Sequence, residues 1–205
     1  MASDGELFLA WQTGDRRAGG ELVDRYVEAV RRFFHTKVDA GIEDLVQQTF
    51  LVCIERRDQI RDPDAFRGYL FAAARSKLYD HIRSRQGKDR TAIDPATTSI
   101  ADAGLSPGSV LAARDEQRLL LLALQQLPAE LQVALELYYF ERVRGRDLAI
   151  ALGLPDGTVR SRLRRGLEQL RERLDALTRS ESPGLRTASQ EHLRAWEQGL
   201  ERDEP

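Results

Sequence analysis

Between Arg146 and Leu163 the chain reads RDLAIALGLPDGTVRSRL, and no other stretch limits the possible fold as much. Two helices that cross closely need a small residue at the crossing, a glycine free to turn sharply and an apolar anchor on the second helix. Ala149, Gly153 and Val159 supply these at intervals of four and six. Pro155 and Asp156 fall at the start of the second helix, where a missing amide is harmless and an acid complements the helix dipole. The stretch predicts a helix-turn-helix.

Helical periodicity puts Val159, Leu163, Leu167, Leu170 and Leu174 in one inward stripe. Thr158, Ser161 and Arg165 then point away from the core, flanked by Arg162 and Arg164. Arg160 sits nearer the packed edge, its stem long enough to carry the head to a phosphate. Four arginines and no acid lie between Thr158 and Arg165 in a chain of formal net charge -2. Charge confined to one short helix points to a local anionic partner, nucleic acid first. A merely solvated face is the plainer reading, and it suits Glu168 to Arg173, where the signs alternate.

The rest of the chain reads as helix too. From Gly5 to Arg85 apolar residues recur every three or four positions without sustained alternation, and breaks fall at Gly14, Gly41 and Asp62-Pro63. GKDRTAIDPATTSIADAGLSPGS, Gly87 to Ser109, has the composition of a flexible linker. Beyond it, Leu119, Leu122 and Leu127 mark one helix face, Pro128 a stop, and Leu131, Leu135 and Tyr138 the next face. These features predict an all-α chain with helical domains at 1–86 and 113–178, a flexible linker at 87–112 and an extension at 179–205. In the extension, a break at Ser182-Pro183-Gly184 precedes a short helix with Leu193, Trp196 and Leu200 on one side. So short a helix seldom folds alone. It is expected to dock, either as a cap on the second domain or as a regulatory element that holds the domains together or screens a binding face.

A second basic region spans AFRGYLFAAARSKLYDHIRSR, Ala65 to Arg85. Phe71, Ala74, Leu78 and Ile82 form its inner stripe, with Ser76, Tyr79 and Arg83 opposite and Asp80 beside them. Arg75, Lys77, Arg83, Arg85, Lys88 and Arg90 outnumber Asp80 and Asp89. Phe66, Tyr69, Phe71 and Tyr79 are interleaved with the charges. Rings for stacking beside cations for the backbone suit single-stranded nucleic acid, although Phe66 and Phe71 read as core.

DLVQQTFLVCIERR, Asp44 to Arg57, followed by AFRGYLFAAARSKLYDHIRSR, resembles domain 2 of the extracytoplasmic-function sigma factors of bacterial RNA polymerase. Their pattern runs EDLxQExFL and then FRxWLxxIARNxxxDxxR. LQQLPAELQVALELYYFERVRGRDLAIALGLPDGTVRSRLRRGLEQLRERL resembles their domain 4, with its LP turn and LGxPxGTVxSRLxR segment. The resemblance covers Glu6 to Arg85 and Glu116 to Leu174. It implies sigma domain 2 and a helix-turn-helix sigma domain 4, with core RNA polymerase (largest-subunit clamp and flap regions) and promoter DNA as partners. Many relatives also have an anti-sigma factor. By the same resemblance Asp44, Gln47 and Gln48 bind the clamp, and Ser76, Lys77, Asp80 and Arg83 engage the -10 element and its opened strand. Thr158, Arg160, Ser161, Arg162, Arg164 and Arg165 read the -35 element, where arginine can hold guanine bidentately. Three positions depart from the pattern: Ser76 replaces asparagine, Tyr69 replaces tryptophan, and Gln132 replaces a frequent arginine. The first lies in the segment that senses the -10 bases, so the relatives' -10 preference does not carry over; the last reads as minor.

Two weak DNA-binding domains on a flexible linker gain selectivity when polymerase holds both at the promoter. A helix-turn-helix regulator acting without being a polymerase subunit is the alternative, but it has no use for the DLVQQTF helix. An enzyme finds little support. His35, His81 and His192 are scattered, Asp62 and Asp64 share a turn, and no phosphate-binding glycine loop appears. No catalytic residue, cofactor or metal site is therefore expected. Cys53, the one cysteine, lies in the apolar run LVCIE and reads as a buried structural thiol. With no apolar run of membrane-spanning length and no signal-peptide order at the N-terminus, the expected location is the cytoplasm, without membrane insertion.

Overall fold

The computed structural model describes residues 2–85, 94–105, 115–179, 190–191, 193–196 and 198–200. The first domain is built from α1 (Asp4–Gln12), α2 (Arg16–His35), α3 (Ile42–Arg56) and α4 (Phe66–Arg85). One-turn 3-10 segments at Arg57–Gln59 and Pro63–Ala65 connect α3 to α4. The second domain comprises α5 (Asp115–Gln125), α6 (Ala129–Tyr139), α7 (Gly145–Leu152) and α8 (Asp156–Thr178). The all-α expectation holds: the described residues contain no strand, only an isolated bridge between Ser99 and Pro128.

Local chemistry sets the helix ends. Ser3 and Glu6 form a reciprocal capping box on α1. Asp15 accepts from the amides of Arg17 and Ala18 to start α2. In the first core Phe8 stacks on Phe66 at 5.2 Å, Trp11 and Tyr26 meet Phe66 edge-on, and Phe33 meets Phe71. Phe71, Ala74, Leu78 and Ile82 are buried, as their spacing predicts. Gln12 donates to the carbonyls of Arg57 and Ile60 at 2.8 and 2.9 Å, tying α1 to the α3–α4 connection. Cys53 is buried in this core, and burial pushes its thiol pKa up to about 12. In the second core Leu122 is only half-buried, whereas its neighbours Ala123 and Leu124 are fully enclosed.

Within the linker expected at 87–112, residues 94–105 are described. Residues 94–105 fold onto the α5–α6 corner and bury Ile100 and Leu105. The amides of Ala129 and Glu130 donate to the carbonyls of Thr98 and Pro95 at 2.9 and 3.0 Å. These are first-turn donors of α6 that have no partner within the helix, and the Pro128 cap has no side chain to serve them. Composition missed this because the apolar anchors are only two and lie outside any helical period.

The two domains are packed against each other. Helix α4 lies along α7, with Gly68 against the Asp147 backbone. Arg32 pairs with Glu141 at 2.8 Å, the Arg67 guanidinium donates to the Glu141 carbonyl, and Arg146 pairs with Asp62. Between them Lys37 and Glu136 meet out of water, Nζ to Oε2 at 2.5 Å. Gln132 is also buried and donates to Glu136 at 2.7 Å, so the departure read as minor belongs to the domain interface.

The described residues between 190 and 200 are helical and dock on the second domain. Leu193 and Leu200 are buried. Trp196 stacks on Tyr139 at 4.3 Å with the planes 5° apart, and Tyr139 Oη donates to the Trp196 carbonyl at 2.7 Å.

Candidate nucleic-acid interface

In the helix-turn-helix, Gly153 ends α7 at φ 65°, a left-handed conformation that would strain a side chain, and the chain reverses into α8 within three residues. Val159 and Leu163 are buried against α7, with Leu167, Leu170 and Leu174 continuing the stripe inward. Thr158, Ser161, Arg164 and Arg165 are exposed, as the wheel predicts, and so is Arg160, which the wheel set nearer the packed edge. Ser161 donates to the Thr158 carbonyl at 2.9 Å, which steadies the first turns. A groove of about 640 Å³ runs along this end, lined by Arg144, Arg146, Arg160, Asp156 and Leu200 among others.

Arg162 differs from its neighbours. It is half-buried and pairs at 2.7 Å with Glu130 of α6, within its own domain. Arg75 reaches the same place, its guanidinium over Gly153. Burial holds the Arg75 pKa below its ordinary value; Tyr79 opposes that shift and Arg162 adds to it. Burial likewise pushes Tyr79 up to about 12, with Arg75 pulling it down. Tyr79 therefore belongs to the domain contact, not to the Ser76 face that its spacing suggested. The wheel missed this because it knows only the helix's own core.

On α4, Ser76, Lys77 and Asp80 line a cleft of about 430 Å³ against α3, together with Arg56, Gln59 and Tyr69. Arg83, exposed one turn further on, pairs with Asp80. The structure thus brings the four expected -10 residues together. Of the interleaved aromatics, Phe66 and Phe71 are core and only Tyr69 opens to this cleft. The cleft is large enough for one flat ring, with cations and amide or hydroxyl groups at its rim.

On α3, Asp44 and Gln47 are exposed, and Gln48 donates to Asp44 at 2.6 Å. Leu51 and Ile54, which the sequence reading passed over, are 53% and 47% exposed. All five share one face at helical spacing. Two large apolar side chains thus stand half in water beside three polar ones on this face. The signal was present in the sequence, since both fall outside the inward stripe of Leu45, Thr49 and Cys53.

Among the described residues no group of three or more His, Cys, Asp and Glu could hold a metal, and no helix is long and apolar enough to cross a membrane. His192 lies outside the described residues.

Sequence comparison matches residues 22–88 to Sigma-70 region 2 and residues 117–170 to Sigma-70, region 4. The RNA polymerase sigma-H factor of Pseudomonas aeruginosa is 30% identical over 188 residues, which are 86% of this chain and 96% of that relative. The probable RNA polymerase sigma factor RfaY of Xanthomonas campestris pv. campestris is 32% identical over 160 residues; the match takes in 75% of this chain but spans only 40% of that relative's length. The ECF RNA polymerase sigma-E factor of Escherichia coli is 25% identical over 176 residues, 82% of this chain and 92% of the relative. Among solved structures, CnrH in complex with the cytosolic domain of CnrY matches 88% of this chain and 100% of that one with a TM-score of 0.60. At 24% identity that likeness speaks for the fold. Two matched regions in the same order, each on its own helical domain, settle the family: the chain belongs to the sigma factors of bacterial RNA polymerase, in their extracytoplasmic-function branch.

Proposed function

We propose that this sigma factor directs transcription initiation through three faces. The α3 face (Asp44, Gln47, Gln48, Leu51, Ile54) binds the clamp of the largest polymerase subunit. Ser76, Lys77, Asp80 and Arg83 on α4 engage the opened -10 strand, with an unstacked base entering the cleft against α3. Thr158, Arg160, Ser161, Arg162, Arg164 and Arg165 address the -35 duplex, Arg162 after leaving Glu130. The domains are taken as 1–86 and 113–178 with the extension at 179–205.

The observation that carries this reading is the exposed α3 face, because a regulator that never joins polymerase needs no such mixed apolar surface. The protein works by binding, not by catalysis, and it works where polymerase and chromosome are, in the cytoplasm. The structural neighbour is in complex with the cytosolic domain of CnrY, and a protein partner that binds this chain, as an anti-sigma factor would, is part of the proposal. Run-off transcription with core polymerase and genomic promoter fragments tests it. Discrete transcripts that depend on the protein and weaken with Arg160→Ala plus Arg165→Ala are expected. A chain that binds DNA but never core polymerase would instead be an independent helix-turn-helix regulator.

A further inference from the structure

The loop between α6 and α7 reads RVRGR, Arg142 to Arg146, three arginines in five residues and no acid. Its backbone is pinned from within. Glu141 and Val143 are buried, the Glu141 amide donates to the Glu136 carbonyl at 3.1 Å, and the Val143 amide donates to the Leu137 carbonyl at 2.9 Å. With those neighbours held inward, Arg142, Arg144 and Arg146 are all exposed. The Arg144 guanidinium lies 3.4 Å over the Tyr138 ring and donates to the Tyr138 carbonyl, which fixes its charge in place.

Arg142 stands at φ 52°, the one positive-φ residue other than glycine among the described residues. A left-handed backbone crowds a β-carbon against the following carbonyl oxygen, whereas glycine sits there without strain. Stability alone therefore favours glycine at this position. Strain of this kind collects at functional sites, and what an exposed arginine adds is a charge.

Arg144 and Arg146 form one rim of the groove of about 640 Å³, and Asp156 and Arg160 at the start of α8 form the other. The floor between them is apolar, with Tyr138, Leu148, Val159 and Leu163. The loop cations thus stand beside the first turn of the helix assigned to the -35 bases. Resting on that assignment, whatever flanks α8 at this end faces the strand that borders the major groove, and that strand presents phosphate and sugar. Arg146 is paired with Asp62, but its side chain is 70% exposed. An ion pair so open to water is worth little, so a phosphate can take the place of Asp62.

We propose that the α6–α7 loop is a second DNA contact: Arg142, Arg144 and Arg146 grip backbone phosphates flanking the -35 element and raise affinity without reading sequence.

The test is binding of the polymerase-loaded protein to a promoter fragment, and to one with a scrambled -35 element, at several salt concentrations. Each phosphate contact contributes about 0.9 to the slope of log affinity against log salt. Arg142→Gly should melt no earlier than the wild type, since glycine accepts φ 52° freely. It should nevertheless bind both fragments about fivefold more weakly at about 0.15 M salt, with a slope shallower by about 0.9. Adding Arg146→Gln should double the change in slope, and Arg142→Lys, which keeps the charge, should retain the wild-type slope. The contact is overturned if the double variant keeps the wild-type slope, if affinity falls on the promoter fragment alone, or if Arg142→Lys loses as much as Arg142→Gly. An Arg142→Gly chain that melts earlier than the wild type overturns it too, because the arginine then serves the fold. A wild type that binds both fragments equally overturns the -35 reading of α8 instead, and the slopes of the variants still decide the loop. If the wild type does not bind core polymerase, the sigma-factor reading fails, and the same slopes measured on the free chain decide the loop.

Discussion

Gly68 of α4 lies flush against the Asp147 backbone of α7: a β-carbon on it would stand 2.9 Å from the Asp147 carbonyl oxygen and 3.0 Å from its Cα. Helix propensity alone would favour alanine at this position by about 1 kcal/mol. Backbone cannot step aside as a flexible side chain can, so Gly68→Ala should weaken the domain contact by about 1–3 kcal/mol while leaving the first domain's own helices intact. Faster proteolysis between the domains with an unchanged circular dichroism spectrum is the expected result. An equally compact and protected chain would show that the approach is less tight than the geometry says.

Arg165 is exposed on the outward face of α8. If it reads a base, Arg165→Ala in the polymerase complex should cost about 1–3 kcal/mol and relax preference at one -35 position. If it holds a phosphate, the loss should be uniform across sequences and the salt slope should fall by about one. Binding titrations with matched and mismatched -35 duplexes at several salt concentrations separate the two, and no change in either quantity removes Arg165 from the interface.

Leu51→Asp with Ile54→Asp alters a surface whose side chains are half in water already. Stability should move by no more than about 0.5 kcal/mol per site. Core polymerase binding should drop by about tenfold or more, as expected for apolar anchors at an interface. Gel filtration with core enzyme and thermal melting give both numbers, and unimpaired core binding would shift the clamp contact to another face.

His81 sits beside the Arg85–Asp39 pair, with Nε2 buried and unpartnered. Burial, and next Arg85, hold its pKa below the ordinary value, while Asp39 opposes them. The folded chain therefore binds this proton less readily than the unfolded chain does. The histidine's contribution is complete above the unfolded value of about 6.5 and is lost as the pH falls from there to the lower folded value. Urea unfolding at pH 7.5 and pH 5.5 should show a drop that shrinks in His81→Gln. An identical drop in the variant would assign the acid sensitivity to other groups.

Trp196→Ala removes the stack on Tyr139 and the edge contact with Phe140. The expected cost to the second domain is about 1–3 kcal/mol, from the stacking term plus the apolar area lost. Melting and run-off transcription separate the two readings of the extension. A cap predicts activity that falls in step with stability, whereas a regulatory arm predicts activity that rises although stability falls.

What the sequence disclosed was whatever repeats along one helix or is demanded by one turn. Gly153, the Val159-to-Leu174 stripe and the breaks at Gly14 and Gly41 follow from local geometry and were readable. The pairing of Lys37 with Glu136 was not, because nothing in the neighbourhood of either residue names a partner about a hundred positions away. Tyr79 was assigned to a solvent face for the same reason: a wheel marks the inside of its own domain and is blind to a second one. Arg162 was set beside the outward face because its partner, Glu130, lies on another helix of the same domain. Ile100 and Leu105 were lost in a stretch whose Ser, Thr, Asp and Pro content looks unstructured, although their burial and the carbonyls of Pro95 and Thr98 make it a support for α6.

The docking of residues 94–105 gives the connection between the domains two working lengths. While Ile100 and Leu105 stay seated, the covalent span from Arg85 to Asp94 limits the connection to about 30 Å. Once both side chains lift away, the tether runs from Arg85 to Asp115 and reaches about 100 Å. Two buried hydrophobic side chains thus set how far apart the ends of the two domains can stand.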